Sequence, residues 1–482
     1  MRFRTRSWLV IWFTVSVLLG VSLTSAAAED EDVYAVKTGD GITLKMLHYR
    51  PSPEAPFREN AQTVLLFHGI LCNMNVYLEH TPDENKKNYA KIVLPSPLAT
   101  WARNDPYIKA DPLRYYSLAH YLWIKGYDVW LANFRGTGRG ELKSDRGSVL
   151  HANDAWGVLD VDPCVKKVIA ETNIAPFIAG HSTGGFACQA YLQGTYFDPA
   201  ELEEGYKNGY IPHVKSDPDL AAERNRLVKG YVALVPGTTP WIPGKIDKKY
   251  LWKKFGQADY WDIEQLMTGK INPLTSNCDT VADLVNWFFN DINADDHRPD
   301  ERGYWTPYLN FWNMENSNPF VNDFFAKFGS GSVLVRGLGQ WGDLGLNRRM
   351  REFWKNGAEN KGVVKGPKPD PGKDGYYYYD EHMNLVSVPT LAILSYASAF
   401  SAADDTINFL MQAKTRDERD IYYFIPNSAH VDILCGLNAP YLTFPYIGDW
   451  LDKVSGRSSG PLIPSAVMPE EPAANETQVS SN

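Results

Sequence analysis

The sequence predicts an α/β protein: a mostly parallel sheet with helices on both faces and a large insertion after its sixth strand. Three observations lead there. Short apolar runs alternate with helix-patterned segments from about residue 60 to residue 240, the rhythm of a sheet covered on both sides. That rhythm breaks at Trp241 and resumes near Pro389. The interruption, to about Tyr379, concentrates large aromatics: Trp241, Trp252, Trp261, Trp287, Trp305, Trp312, Trp341 and Trp354. With 482 residues, 44% of them hydrophobic, the chain can bury a large core.

The elements follow in order. Residues 1–28 read as a signal peptide: Arg2, Arg4 and Arg6 precede an apolar run from Trp8 to about Val21, and Ala26, Ala27 and Ala28 supply a cleavage site after Ala28. The run is short for a bilayer span, so a secreted or periplasmic protein is expected. Tyr34 to Tyr49 alternates around the turn Gly39 to Gly41, which predicts a hairpin. Thr63 to Phe67 is a buried strand; a polar stretch from Asn73 to Asp111 delays the next element. Tyr115 to Lys125 has helical spacing, Tyr127 to Asn133 reads as strand, and Ala155 to Glu171 as helix. Then come a strand (Ile174 to Ala179), a helix (Phe186 to Gln193) and a strand (Val228 to Val235). After the insertion, a strand (Pro389 to Ser395), a helix (Ala402 to Ala413) and a last strand (Ile421 to Ile425) complete the pattern. The expected organisation is a core of residues 29–240 and 386–455, a cap of residues 241–385, and a disordered tail over residues 456–482 rich in Ser, Pro and Glu. The tail holds the sequon at Asn475.

The balance of 48 basic against 57 acidic side chains argues against a nucleic-acid partner, which would call for a basic footprint. Cys72, Cys164, Cys188, Cys278 and Cys435 are too scattered for a disulfide framework or a zinc spacing. No metal and no organic cofactor is implied. The run Arg135 to Gly140 lacks the endings and spacing of a phosphate loop and reads as a mobile or arginine-anchored turn.

The chemistry centres on Gly180-His181-Ser182-Thr183-Gly184. A strand before it and an apolar helix after it are the setting a nucleophile elbow requires. The alternative is an ordinary turn with a helix-capping serine. A nucleophilic serine needs a base, and His430, just past the last strand, is placed to supply it. His181 stands beside the serine in sequence but should point away from it. Backbone N–H groups for the developing oxyanion are expected from Thr183 and from Ile70, in the turn after Thr63 to Phe67. The acid should follow the strand Pro389 to Ser395. Carboxylates appear there only at Asp404, the preferred candidate, and Asp405. With Ser401 as N-cap, both could equally be first-turn residues placed against the helix dipole.

Four blocks carry a family resemblance: LLFHGILCN (Leu65 to Asn73), GYDVWLANFRG (Gly126 to Gly136), GHSTGG, and IPNSAHVDILCGLNAP (Ile425 to Pro440). On these the chain resembles the α/β-hydrolases, and among them the gastric and lysosomal acid lipase group. The resemblance implies a carboxylic ester hydrolase of lipase or esterase type with a Ser-His-Asp triad, acting through an acyl-enzyme on lipid-like esters, with transient contact to a lipid surface. The elbow's usual form has Gln or Met where Thr183 stands. Two departures matter: the group's aspartate position falls near Ser398, and the cap, Trp241 to Tyr379, carries no matching motif, so substrate preference does not carry over. An acyltransferase, or a catalytically silent α/β-hydrolase that binds, would use the same scaffold.

Overall fold

The computed structural model describes residues 31–210, 212–240, 260–261, 312–353, 373–395, 398, 401 and 403–458. The leader with its cleavage site, the sequon at Asn475, Cys278 and most of the aromatic-rich insertion lie outside the described residues.

Eight strands form one sheet: β1 (Glu31–Lys37), β2 (Thr43–Tyr49), β3 (Thr63–Phe67), β4 (Asp128–Asn133), β5 (Phe177–His181), β6 (Gly230–Leu234), β7 (Thr390–Leu394) and β8 (Ile421–Phe424). Their order across the sheet is β1-β2-β4-β3-β5-β6-β7-β8. β2 runs antiparallel to both β1 and β4, and the remaining pairs are parallel. This order, with the reversed second strand, is the α/β-hydrolase fold. The central strands β3, β5, β6 and β7 are buried along their whole length, which is why they read as continuous apolar runs rather than alternating ones.

Five helices matter for the site: α1 (Leu118–Ile124), α2 (Val161–Thr172), α3 (Thr183–Leu192), α4 (Val335–Asn347) and α5 (Thr443–Val454). Alternate side chains of each strand point to opposite faces, so the sheet divides two cores. Leu66, Leu131, Ala179, Val232 and Ile393 pack with α1 and α5 on one face. Leu65, Phe67, Trp130, Ile178 and Ala233 pack with α2 and α3 on the other.

Two boundaries at the serine shift against the sequence reading. β5 extends to His181 and α3 begins at Thr183, three residues ahead of the expected Phe186. Gly184 and Gly185 are therefore helical. Their low propensity hid the first turn, and tertiary packing overrides it. The stretch after β3 forms short turns held by a buried cluster. Glu79 accepts from Arg114 and from His120 Nδ1, whose Nε2 meets Asp105 at 2.8 Å. Arg135 does anchor its turn: its buried guanidinium donates to Asp160 and Asp40.

The described part of the insertion is fastened to the core. Gly331 N–H donates to Leu71 C=O at 2.8 Å, and Asn73 N–H to Gly329 C=O at 2.8 Å. From α4, Gln340 accepts from Asn153 N–H at 3.0 Å and donates to Asp154 at 2.7 Å. No helix among the described residues is long and apolar enough to cross a membrane.

Candidate active site

Ser182 is the single residue between β5 and α3, and its backbone sits at φ 54°, ψ −123°. That region is open to glycine and costs an L-residue about 1–3 kcal/mol. The surroundings hold it there. Ser182 N–H donates to Leu234 C=O at 3.0 Å, and its own carbonyl accepts from Gly185, Phe186 and Gly237 N–H groups at 2.9, 3.2 and 2.6 Å.

The neighbouring glycines are required by contact. A Cβ on Gly180 would lie 2.5 Å from the Gly184 carbonyl group, and one on Gly184 would lie 2.5 Å from His68 O. A Cβ on Gly69 would meet Ser182 Cβ at 2.9 Å. The turn after β3 and the start of α3 thus touch through their backbones. They carry Ile70 and Thr183, and Thr183 N–H is one of the first-turn donors a helix leaves unused.

His430 follows β8 and packs against the elbow. His181 Nε2 donates to His430 C=O at 3.0 Å, and the two rings lie 4.9 Å apart between centroids. Burial, and then the neighbouring His181, push the His430 pKa well below 6.5. Burial likewise lowers His181 to about 4, against the opposing bond to His430. Both rings are neutral at neutral pH, the state a general base needs. His181, expected to turn away from the serine, bonds to the backbone of His430.

The loop carrying His430 is built from side chains. Asp432 accepts from Ala429 N–H at 3.0 Å and from Asn316 Nδ2 at 3.0 Å. Asn316 also donates to Asn438 at 2.8 Å, and Asn313 donates to Asn427 at 2.7 Å. Burial raises the Asp432 pKa to about 6 even though these donors pull it down.

Among the described residues, a hydroxyl stands at the ring nitrogen of His430 where the acid is expected. His430 Nδ1 lies 2.7 Å from Ser398 Oγ, and both residues are buried. Asp404, expected to orient the ring, is exposed in the short helix Ala403–Thr406. The first-turn placement allowed for both aspartates explains this, because a helix started at Ala403 commits them to its N-terminal turn. Asp405 pairs with Arg348 at 3.0 Å and accepts from Thr239, and burial raises it to about 6 against the Arg348 charge.

Among the described residues, an aromatic of the insertion reaches the elbow. Trp341 on α4 donates from Nε1 to Thr183 Oγ1 at 2.8 Å, and Gly337 of the same helix lies beside Ile70. The sequence singles out neither Ser398 nor Trp341 by role. Ser398 marks only the place where a family aspartate should stand, and Trp341 is one tryptophan of eight in the insertion. Among the described residues no cluster of His, Cys, Asp or Glu is arranged to hold a metal, and Cys72, Cys164, Cys188 and Cys435 are free and buried.

No family model matches the chain, and no curated protein matches it in sequence. Solved structures similar to it include a thermophilic esterase from Thermogutta terrifontis, 12% identical with a TM-score of 0.42, covering 88% of this chain and 99% of that one. Naproxen esterase (carboxylesterase NP) from Bacillus subtilis is 12% identical with a TM-score of 0.38, covering 92% and 99%. A hydrolase from Pseudomonas aeruginosa PA01 is 11% identical with a TM-score of 0.40, covering 88% and 98%. What makes this chain an α/β-hydrolase fold is its own strand order, with the antiparallel β2 and the serine turn joining β5 to α3.

Proposed function

We propose that the protein is a carboxylic ester hydrolase of lipase or esterase type, with Ser182 as nucleophile and His430 as general base. The observation that carries this reading is the backbone of Ser182, a strained non-glycine residue held between a buried strand and a buried helix. Strain of this kind persists where a side chain must be presented in one direction.

In the reaction, His430 Nε2 takes the Ser182 proton as Oγ bonds to the acyl carbon. The carbonyl oxygen becomes an oxyanion facing Thr183 and Ile70 N–H groups. The imidazolium returns its proton to the departing alkoxide, the C–O bond breaks, and an acyl-enzyme remains. Water repeats the sequence and frees the acid. The aromatic insertion, with Trp341 against the elbow, favours a hydrophobic acyl group. The basic, apolar leader supports export of the mature chain.

The test is covalent. A fluorophosphonate should label the folded protein on Ser182, and the Ser182→Ala variant should take up none. A folded wild-type protein left unlabelled at Ser182 would refute the assignment. A series of p-nitrophenyl esters of rising chain length then ranks the acyl preference.

A further inference from the structure

We propose that Ser398 is the positioning residue of the site, doing with a neutral hydroxyl what an aspartate would do with a charge. The inference rests on the reading of Ser182 as nucleophile and His430 as its base.

The geometry is a short buried contact, Ser398 Oγ to His430 Nδ1 at 2.7 Å. A hydroxyl oxygen has two acceptor positions and one rotatable proton. Ser401 N–H donates to the same oxygen at 3.2 Å and occupies one of those acceptor positions. The other is open to Nδ1–H. With the proton on Nδ1, the Nε2 lone pair is left for the serine, the arrangement an oriented carboxylate favours elsewhere.

The carboxylates nearby in sequence have other engagements. Asp405 is paired with Arg348 and bonded to Thr239. Asp404 is exposed. Asp432 is occupied by Ala429 N–H and Asn316. His181 holds the same residue, His430, through its backbone carbonyl. Ser398 thus meets the ring and His181 the main chain, both as neutral groups.

A neutral hydrogen bond orients the imidazole and stabilises the imidazolium less than an ion would. Ser398→Ala should then lower kcat about 10-fold, the size of one such bond, with KM unchanged. Fluorophosphonate labelling of Ser182 should slow by about the same factor. Ser398→Thr, which keeps the hydroxyl, should restore most of the rate. Thermal melts of all variants separate loss of fold from loss of rate. Asp404→Ala, on an exposed surface, should leave kcat within about 2-fold.

If Ser398→Ala is folded and labels as fast as wild type, the proposal falls while the serine reading stands. A drop of about 100-fold or more in Asp404→Ala would also overturn it, and would return the acid to that residue. A wild-type protein that takes no label removes both readings together.

Discussion

The two halves of the site are built in different materials. The serine half is backbone: Gly180, Gly184 and Gly69 allow main chains to approach where no side chain fits, and Ser182 is held by carbonyl and amide groups. The histidine half is side chain: Asp432, Asn316, Asn438 and Ser398 hold His430 and its loop. Backbone constraint leaves a mark in the sequence, because only glycine satisfies it. A side-chain network leaves little, because Asn, Ser and Asp occupy many surface positions for unrelated reasons.

The contrast is most exposed to test on the serine side. Gly184→Ala places a methyl 2.5 Å from His68 O, so it should cost about 3 kcal/mol, measured by urea denaturation. Gly39→Ala is the control, since nothing lies within 4 Å of its Cβ, and it should stay within about 0.5 kcal/mol. Equal losses at both positions would show that backbone contact does not set the serine half apart.

The histidine side should yield less. Asp432→Ala leaves Ala429 N–H without its acceptor and removes one of the acceptors of Asn316 Nδ2, at a cost of about 1–3 kcal/mol. Because the loop carries His430, kcat should fall more than KM changes. A loss of stability with kcat intact would make the network scaffolding only.

The smallest expected effect is a displacement of the acid limb. Burial disfavours the charged ring, so His430 takes up its proton below pH 6.5. Going down in pH, kcat/KM should therefore hold through 6.5 and decline only beneath it. A limb centred at or above 6.5 would mean that a negative group faces the ring after all.

Much of the frame is legible in the sequence for physical reasons. Parallel strands buried on both faces stand out as apolar runs, and all eight strands lie within a few residues of where the pattern puts them, including the hairpin and the late pair around β7 and β8. Ser182 is legible through its glycines, and His430 through its place after the last strand. Asp404 draws attention because a carboxylate is what chemistry looks for after β7, while Ser398 is one of several serines there, beside Ser395 and Ser401. Only the fold distinguishes the one that meets Nδ1. The start of α3 is misplaced by the same logic: glycines chosen for contact look like helix breakers.

The indole of Trp341, clipped to Thr183 next to the serine, bears on how such a protein can change over time. Insertions on this kind of sheet are often pictured as interchangeable attachments, swapped to alter specificity while the machinery beneath stays as it was. Here the attachment shares a bond with the machinery. A graft that lost α4 would also loosen Thr183, the residue proposed to face the oxyanion. On the proposed reading, a change in the insertion would reach turnover as well as specificity, and an engineer would have to change them together.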